Sequence, residues 1–304
     1  MLVGYTGFVG SNICMSHSFD HLINSKNITG AYGVKPDLLV YSGVPSAMFL
    51  ANNYPEKDKE IIDDAKRNIE LICPDRLVLI STVAVYDRTQ DVDEDHEPDI
   101  ERLLPYGAHR LELEKWAEQN IRDHLIVRLP AIFGENLKKN FIYDYIHFIP
   151  ALLKEDKYQE LAKADELIAC SYTKTDNGFY KCKELDDVSR SRLKTAFEQA
   201  GFSALNFTDS RSVYQFFDLK LLYPHIERCL RDGIPKINLV TPPVSVSELY
   251  SYLSGKTFEN VLAKEPFAYD IRTKYYQGGY IMTKEEELMQ IKNYVLSKTN
   301  GGKS

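Results

Sequence analysis

Cysteine is scarce and scattered in this chain: Cys14, Cys73, Cys170, Cys182 and Cys229 are the five in 304 residues, and no two form a C-x-x-C pair. No His or Cys stands near Cys170 and Cys182 at ligand spacing, so neither a metal site nor a disulfide framework is expected. Free thiols suit a reducing compartment, and the expected setting is cytoplasmic. Long apolar runs are missing too. The longest, such as Leu77–Tyr86, fall well short of a bilayer span, and no charged-then-apolar leader opens the sequence, so no membrane partner is expected. A Lys/Arg block is also absent and the net charge is −7, which argues against a nucleic-acid footprint. There are no repeats or low-complexity tracts. The remainder, 44% hydrophobic and 27% charged, is the make-up of an ordinary globular chain able to bury a large core.

The informative stretch is the first one, MLVGYTGFVGSN: an apolar run that breaks into Gly4, Gly7 and Gly10. Glycines permit a tight turn and bring bare backbone close to a ligand. A helix opening there adds unpaired N–H groups and a partial positive charge, which favour a pyrophosphate. The spacing is G-x-x-G-x-x-G rather than G-x-G-x-x-G, so alone it is a weak signal for dinucleotide binding.

Apolar runs then alternate with amphipathic stretches. Strands are expected at Met1–Val3, Phe19–Ile23, Asp37–Tyr41, Arg76–Ser81 and His124–Leu129, with helices at Ser11–Ser18, Glu56–Ile72 and Tyr106–Ile121. This rhythm predicts an α/β fold, a Rossmann-type doubly wound parallel sheet, with ligands beyond the carboxyl ends of the strands. Gly4–Gly10, Ser42-Gly43, Thr82 and Leu129-Pro130 all fall at such ends. Residues 135–206, rich in Lys, Glu and Tyr, read as mainly helical with a loop at Thr175–Gly178. Arg211–Leu219 reads as a short strand followed by a helix to Leu230, and Ile237–Val240 as a last strand. The rest reads as helical, ending in an exposed polar tail, SKTNGGKS. The expected organisation is a nucleotide-binding domain at 1–130 and 207–242, interleaved with a smaller, mainly helical substrate lobe at 131–206 and 243–304.

Two further signals follow the glycine loop. LISTVAVYD delivers Ser81 and Thr82 at a strand end, and PYGAHRLELEKW places Tyr106 and Arg110 four apart on one helix face. Each also has a plain structural reading: Thr82 as a strand-end turn residue, Tyr106 and Arg110 as a stacked pair, His109 as a solvated residue on another face, and Asp91–Glu97 as an exposed loop.

The segments GYTGFVGSN, DLLVYSGVP, LISTVAVYD, YGAHRLELE, IVRLPAIFG, YQFFDL and NLVTPPVSVSEL run in order from Gly4 to Leu249. In them the chain resembles the extended short-chain dehydrogenase/reductases, the NAD(P)-dependent nucleotide-sugar epimerases, dehydratases and reductases. The resemblance implies that Gly4, Thr6, Gly7, Phe8, Val9, Gly10, Ser42, Gly43 and Pro130 line the cofactor. It implies that Thr82 hydrogen-bonds the reacting oxygen and that Tyr106 trades a proton with it. Arg110 stands where the family has a Lys that holds the nicotinamide ribose and lowers the tyrosine pKa. Bringing a tyrosine from about 10 to near 7 takes about 4 kcal/mol. A full charge about 4 Å away at an effective dielectric of 20 supplies about that much. Arg110 can therefore do the electrostatic part and fork onto a diol, although it gives up no proton.

NAD recognition calls for an acid at the end of strand two, where this chain has Asn24-Ser25-Lys26-Asn27; Lys26 suits a 2′-phosphate, so NADP is expected ahead of NAD. The stretch from Gly10 to Pro36 is also short for the family. Val83-Ala84 follow Thr82 where dehydratases of the family place Asp-Glu, which leaves 4-keto reduction or epimerisation. Lys139, Asn140, Arg211, Gln215 and Arg272 are the candidates for gripping a nucleotide sugar. The family also implies a homodimer through the two long helices. The alternative is an NADP-binding regulator or sensor on the same fold with impaired or no catalysis.

Overall fold

A computed structural model describes residues 1–176 and 178–300, and the chain folds as two compact units. The first comprises Met1–Leu137, Val213–Val244 and Phe267–Ile291; the second comprises Lys138–Ser212, Ser245–Pro266 and the residues from Lys292 on. The first unit thus takes in Phe267–Ile291, which the sequence reading gave to the lobe.

The chain begins β1 (Leu2–Val3), α1 (Phe8–Ser16), β2 (Leu22–Ile23), β3 (Leu38–Tyr41), α2 (Met48–Asn53), α3 (Pro55–Ile72) and β4 (Arg76–Thr82). There follow β5 (Gln90–Val92), α4 (Pro105–Asn120), β6 (His124–Leu129) and β7 (Ala131–Phe133). Next come α5 (Phe141–His147), β8 (Leu152–Leu153), α6 (Glu155–Ala164), α7 (Glu166–Ser171), β9 (Tyr172–Lys174), β10 (Tyr180–Cys182) and α8 (Asp187–Gln199). The chain closes with β11 (Val213–Tyr214), β12 (Phe216–Asp218), α9 (Leu222–Arg231), β13 (Lys236–Asn238), β14 (Val244–Ser245), α10 (Val246–Ser254), β15 (Asp270–Ile271) and α11 (Lys284–Asn300).

The first unit is built on a parallel sheet in the order β2-β1-β3-β4-β6-β13. The order reverses between β1 and β3, the switch point at which open α/β sheets bind ligands. Strand residues alternate between two faces. Val3, Leu39, Tyr41, Leu77, Leu79 and Ile126 pack under α3 and α4, whereas Leu2, Val40, Val78, Leu125 and Val127 pack with Ile13, Leu222 and Ile226 from α1 and α9. On α3, Ile62, Ala65, Ile69 and Ile72 recur at helical spacing and are buried.

The crossover from β2 to β3 departs from the pattern. It is a single 3₁₀ turn, Ile28–Ala31, instead of a helix, and β2 is left as a two-residue edge strand. Backbone bonds from Gly33 to Leu71 and from Lys35 to Ile72 tie this connection to the end of α3. The strand expected over Phe19–Ile23 is correspondingly short, because only Leu22 and Ile23 find partners on β1. The helix expected from Ser11 starts at Phe8, capped by Gly7.

In the second unit the mainly helical expectation fails in part. An antiparallel sheet, β8-β10-β9, lies among α6, α7 and α8. Tyr172, Thr173 and Tyr180 are strand formers, and Gly178, at φ 82°, sits in the β9–β10 turn. Of the expected Thr175–Gly178 loop, Asn177 lies outside the described residues. Ile149, Leu153, Leu161, Ile168, Tyr172, Leu193 and Phe197 form this unit's core. Nor is the C-terminal stretch simply helical: between α10 and α11 it is mostly irregular, and β15 pairs with β5. Of the expected tail, Ser297–Asn300 continue α11 and the last four residues lie outside the described chain.

Candidate active site

The glycine loop forms a cradle with no room for side chains. Gly4 has φ 89°, and a Cβ on it would lie 2.5 Å from the Ser42 carbonyl oxygen. A Cβ on Gly10 would meet the Gly4 carbonyl oxygen at 2.2 Å, while Gly7 is less confined at 3.2 Å. Bare backbone is therefore packed against bare backbone where β1, β3 and α1 meet. No side chain caps α1 and its first turn holds no acid, so its N-terminal N–H groups and dipole stay available to an anion. Thr6 is exposed at the tip, and Phe8 and Val9 pack back onto the core under α1. Ser42 turns its hydroxyl onto the Val3 carbonyl at 2.9 Å, leaving the Gly43 backbone exposed beside the loop.

Asn12, which the sequence reading passed over, is buried on α1. Its amide donates to the carbonyls of Phe8 and Glu135, and its oxygen accepts from Glu135 N–H at 2.9 Å. It ties α1 to the turn that follows Pro130 and β7.

Thr82 and Tyr106 are brought together, the Thr82 hydroxyl standing near enough to the phenol to favour its ionised form. Gly107 makes this approach possible: a Cβ there would lie 2.2 Å from the Ala84 carbonyl oxygen, so α4 presses directly on the turn after β4. Asn52 of α2 fixes the start of α4 by accepting from Tyr106 N–H at 3.0 Å.

Arg110 does something other than what its position suggested. Its guanidinium stacks on the Tyr106 ring at 4.0 Å from the centroid. Nη1 donates to Asp58 Oδ2 at 2.5 Å and to the Tyr106 carbonyl, and Nη2 donates to the Pro45 carbonyl at 2.8 Å. The side chains of Arg110 and Asp58 are 5% and 3% exposed. These three donors are taken up by protein groups. The expected depression of the Tyr106 pKa is corrected as well. Burial raises the phenol above its ordinary value and prevails; Arg110 opposes the rise, Asp58 adds to it, and the nearby Thr82 hydroxyl opposes it weakly. His109, expected to be solvated, instead binds the same Asp58 oxygen through Nδ1 at 2.8 Å. Asp58 left one trace in the sequence: with Ile62, Ala65, Ile69 and Ile72 it continues the buried stripe of α3 upstream by one turn.

Behind Thr82 lies a buried charge network. Glu114 of α4 receives Arg128 of β6 through both Nε and Nη2, the latter at 2.6 Å, and also accepts from the Ser81 hydroxyl. Arg128 Nη1 reaches Tyr86 Oη at 2.7 Å, and Asn238 joins at the same hydroxyl. The acidic loop is not wholly exposed either: Glu94 is buried and accepts from the backbone of Asn238 and Lys274.

The proposed substrate residues do not form one constellation within either unit. In the first unit Gln215 is 1% exposed and clamps the backbone of Thr241 and Ile271, which is a structural task. Arg272 pairs with Asp270 at 3.1 Å and lines a cavity of about 430 Å³ with Arg88, Asp91, Val92, Asp93 and His96. In the second unit Lys139 is exposed, Asn140 caps α5 through Tyr143 N–H, and Arg211 is held by Asp209 at 2.8 Å. Lys26 is exposed in the turn after β2, at the carboxyl end of that strand, and no carboxylate occupies the turn.

The second unit also holds Asp144, whose carboxyl is pushed up to about 7 by burial. Its folded form holds the proton better than the unfolded chain, so its contribution to stability is full below about pH 4 and is lost as pH rises towards 7. Asp144→Asn is expected to raise the melting temperature at pH 8 and to change it little at pH 4. Equal shifts at the two pH values would show that ionisation is not the cause.

No protein-family model and no curated protein sequence matches the chain. Solved structures do share its fold. A dTDP-4-dehydrorhamnose reductase from Bacillus anthracis in complex with NADP aligns at TM-score 0.59 and 17% identity over 95% of this chain and 96% of its own. RMD from Pseudomonas aeruginosa, complexed with NADPH, aligns at 0.58 and 13% over 100% and 99%. A UDP-N-acetylglucosamine 4-epimerase from Methanobrevibacter ruminantium, with UDP-N-acetylmuramic acid, aligns at 0.61 and 13% over 100% and 98%. Over nearly its whole length the chain shares the fold of these three structures.

Proposed function

We propose that the chain is an NAD(P)-dependent oxidoreductase or epimerase acting on a nucleotide sugar. The observation that carries this is the meeting of Thr82 and Tyr106 at the carboxyl end of β4, on the same sheet as a glycine cradle that a single Cβ would fill. The cradle fits a dinucleotide: the backbone of Gly4–Gly10 and the start of α1 would hold its pyrophosphate, with Gly43 and Pro130 beside it. When bound, the dinucleotide supplies or accepts a hydride. Tyr106 gives a proton to the reacting oxygen or takes one from it, and Thr82 hydrogen-bonds that oxygen. Val83, buried, and Ala84 have no group that could move a proton for dehydration, which leaves 4-keto reduction or epimerisation. The solved structures above include a reductase and an epimerase, which favours an enzyme over a sensor. A homodimer through α3 and α4, in the cytoplasm, belongs to this reading.

NADP is the coenzyme we assign, because Lys26 stands where NAD binders place an acid. The test is purified protein with NADPH or NADH and a panel of 4-keto nucleotide sugars. Turnover is expected with NADPH, and Lys26→Ala is expected to weaken NADPH about tenfold, as the loss of one charge-assisted contact implies, while leaving NADH unchanged. Coenzyme binding without turnover of any sugar nucleotide would sink the enzyme reading, and a preference for NADH would sink the role of Lys26.

A further inference from the structure

We propose that the cavity of about 430 Å³ on the first unit is a binding site for a neutral carbohydrate, a ligand additional to the coenzyme and the nucleotide sugar. None of its lining residues, Arg88, Asp91, Val92, Asp93, His96 and Arg272, belongs to the glycine cradle or to the Thr82–Tyr106 pair.

The backbone of this wall is built to present Asp91. β5 and β15 pair in parallel through Gln90 with Asp270 and Val92 with Ile271, so the ladder skips Asp91. Backbone bonds on either side hold the interruption in place, from Asp270 N–H to the Thr89 carbonyl and from Arg272 N–H to the Val92 carbonyl, both 2.8 Å. Asp91 takes φ 53°, left-handed backbone that a glycine would adopt at less cost. A bulge re-aims a side chain, and strain of this kind gathers at ligand sites. Here it brings to the cavity a carboxylate that makes no hydrogen bond or ion pair with any described residue.

The other groups are fixed with polar atoms to spare. His96 is held through Nε2 by Asp87 Oδ1 at 2.7 Å, which leaves Nδ1. Arg272 gives Nη2 to Asp270 and lies over the Tyr280 ring, 5.2 Å from its centroid. Arg88 makes one long bond, 3.4 Å to the Asp91 carbonyl, and no ion pair among the described residues. Asp93 accepts from Asp95 N–H through one oxygen and keeps the other.

These groups select their ligand by charge. A phosphate would meet Asp91 and Asp93, and an amine would meet Arg88 and Arg272. An apolar ligand would strip water from five polar residues and return no hydrogen bond. No cluster of three side chains able to hold a metal ion occurs among the described residues. Nor do the two signs separate into poles that would suit a zwitterion. Asp270 chiefly, and Asp91 more weakly, stabilise the Arg272 cation, while Arg88 touches the Asp91 backbone. A neutral polyol fits this mixture, because each hydroxyl can donate to a carboxylate and accept from a guanidinium at once. The volume lies in the range of small-molecule sites.

The experiment is a saturation-transfer NMR titration of the full chain with glucose, mannose and galactose in turn. At least one is expected to give transfer at about 10 mM. Asp91→Gly keeps the left-handed backbone but removes the carboxylate, and is expected to weaken that sugar by about tenfold or more. Asp93→Asn retains an acceptor for Asp95 N–H and is expected to weaken it severalfold; this variant carries the test should Asp91→Gly not fold.

No transfer from any of the three hexoses, or an affinity unchanged in both variants, overturns the proposal. So does displacement of the hexose by inorganic phosphate or by glycine, which would mark an anion or a zwitterion site. Displacement by a 4-keto nucleotide sugar would make the cavity part of the substrate site and overturn its independence. Hexose binding in a protein that turns over no nucleotide sugar supports the proposal and counts against the enzyme reading alone.

Discussion

Tyr106→Phe is expected to lower turnover by about 10²–10⁴-fold, the usual worth of a positioned general acid, with dinucleotide affinity nearly unchanged. The separation follows from where the phenol sits. The cradle that would hold the pyrophosphate is built from Gly4, Gly10 and the backbone beside Ser42, whereas Tyr106 stands on α4. Phenylalanine also keeps the ring under the Arg110 guanidinium, so the stack and its pair with Asp58 persist. Only the proton and the Thr82 contact are lost. The pH dependence gives a second handle. With its pKa raised in the folded protein, Tyr106 stays protonated through neutral pH. Reduction in the wild type should therefore hold across that range and fall only as pH climbs past the phenol's own ionisation, a limb absent from the variant's residual rate. Stability has the same sign: the preference for the neutral phenol is fully present below about pH 10 and lost above it. Steady-state kinetics with a coenzyme fluorescence titration would check both parts, and a variant keeping more than about a tenth of wild-type turnover would remove Tyr106 from the chemistry.

The second large effect concerns stability. Glu114→Gln is expected to cost about 3–5 kcal/mol, because it strands a buried guanidinium that two carboxylate oxygens now neutralise. Arg128 and Glu114 are 2% and 1% exposed, and burial leaves no water to substitute for the missing charge. Against a total of about 5–15 kcal/mol for a folded domain, that is a third or more of the stability. Replacing both partners, as Glu114→Met with Arg128→Leu, should recover most of the loss, since two matched apolar side chains strand nothing. Urea unfolding of single and double variants would measure this. A double variant no more stable than the single would show that the charges are needed for more than each other. Some loss of turnover should accompany Glu114→Gln, because Ser81, which bonds Glu114, is the residue before Thr82.

Much of the first unit was legible because parallel strands announce themselves. RLVLIS and HLIVRL are apolar on both faces, and a chain that alternates such runs with amphipathic helices has few ways to bury them. The glycine loop was legible for the complementary reason, that only glycine fits where backbone meets backbone. What escaped notice were polar residues on apolar stripes. Asp58 and Glu114 each lie one or two helical turns from residues that were recognised, yet their meaning depends on which helix faces which, and periodicity says nothing of that. Arg110 was read through the residue it replaces; it does lower the Tyr106 pKa, but burial of the phenol, which the sequence does not show, outweighs it. In the second unit, strands of two or three residues such as Leu152–Leu153 are too short to show a period at all.

The single 3₁₀ turn between β2 and β3 bears on timing. In a doubly wound sheet the adenosine half of a dinucleotide lies over the strands beyond β1, and here that side ends at a two-residue edge. Fewer groups grip the adenosine, so residence of the coenzyme should be brief. An epimerase must keep the same coenzyme through two opposite hydride transfers, whereas a reductase must let the oxidised form go after every one. A short shelf on the adenosine side, beside a tyrosine kept protonated, suits the catalyst that exchanges its coenzyme each cycle.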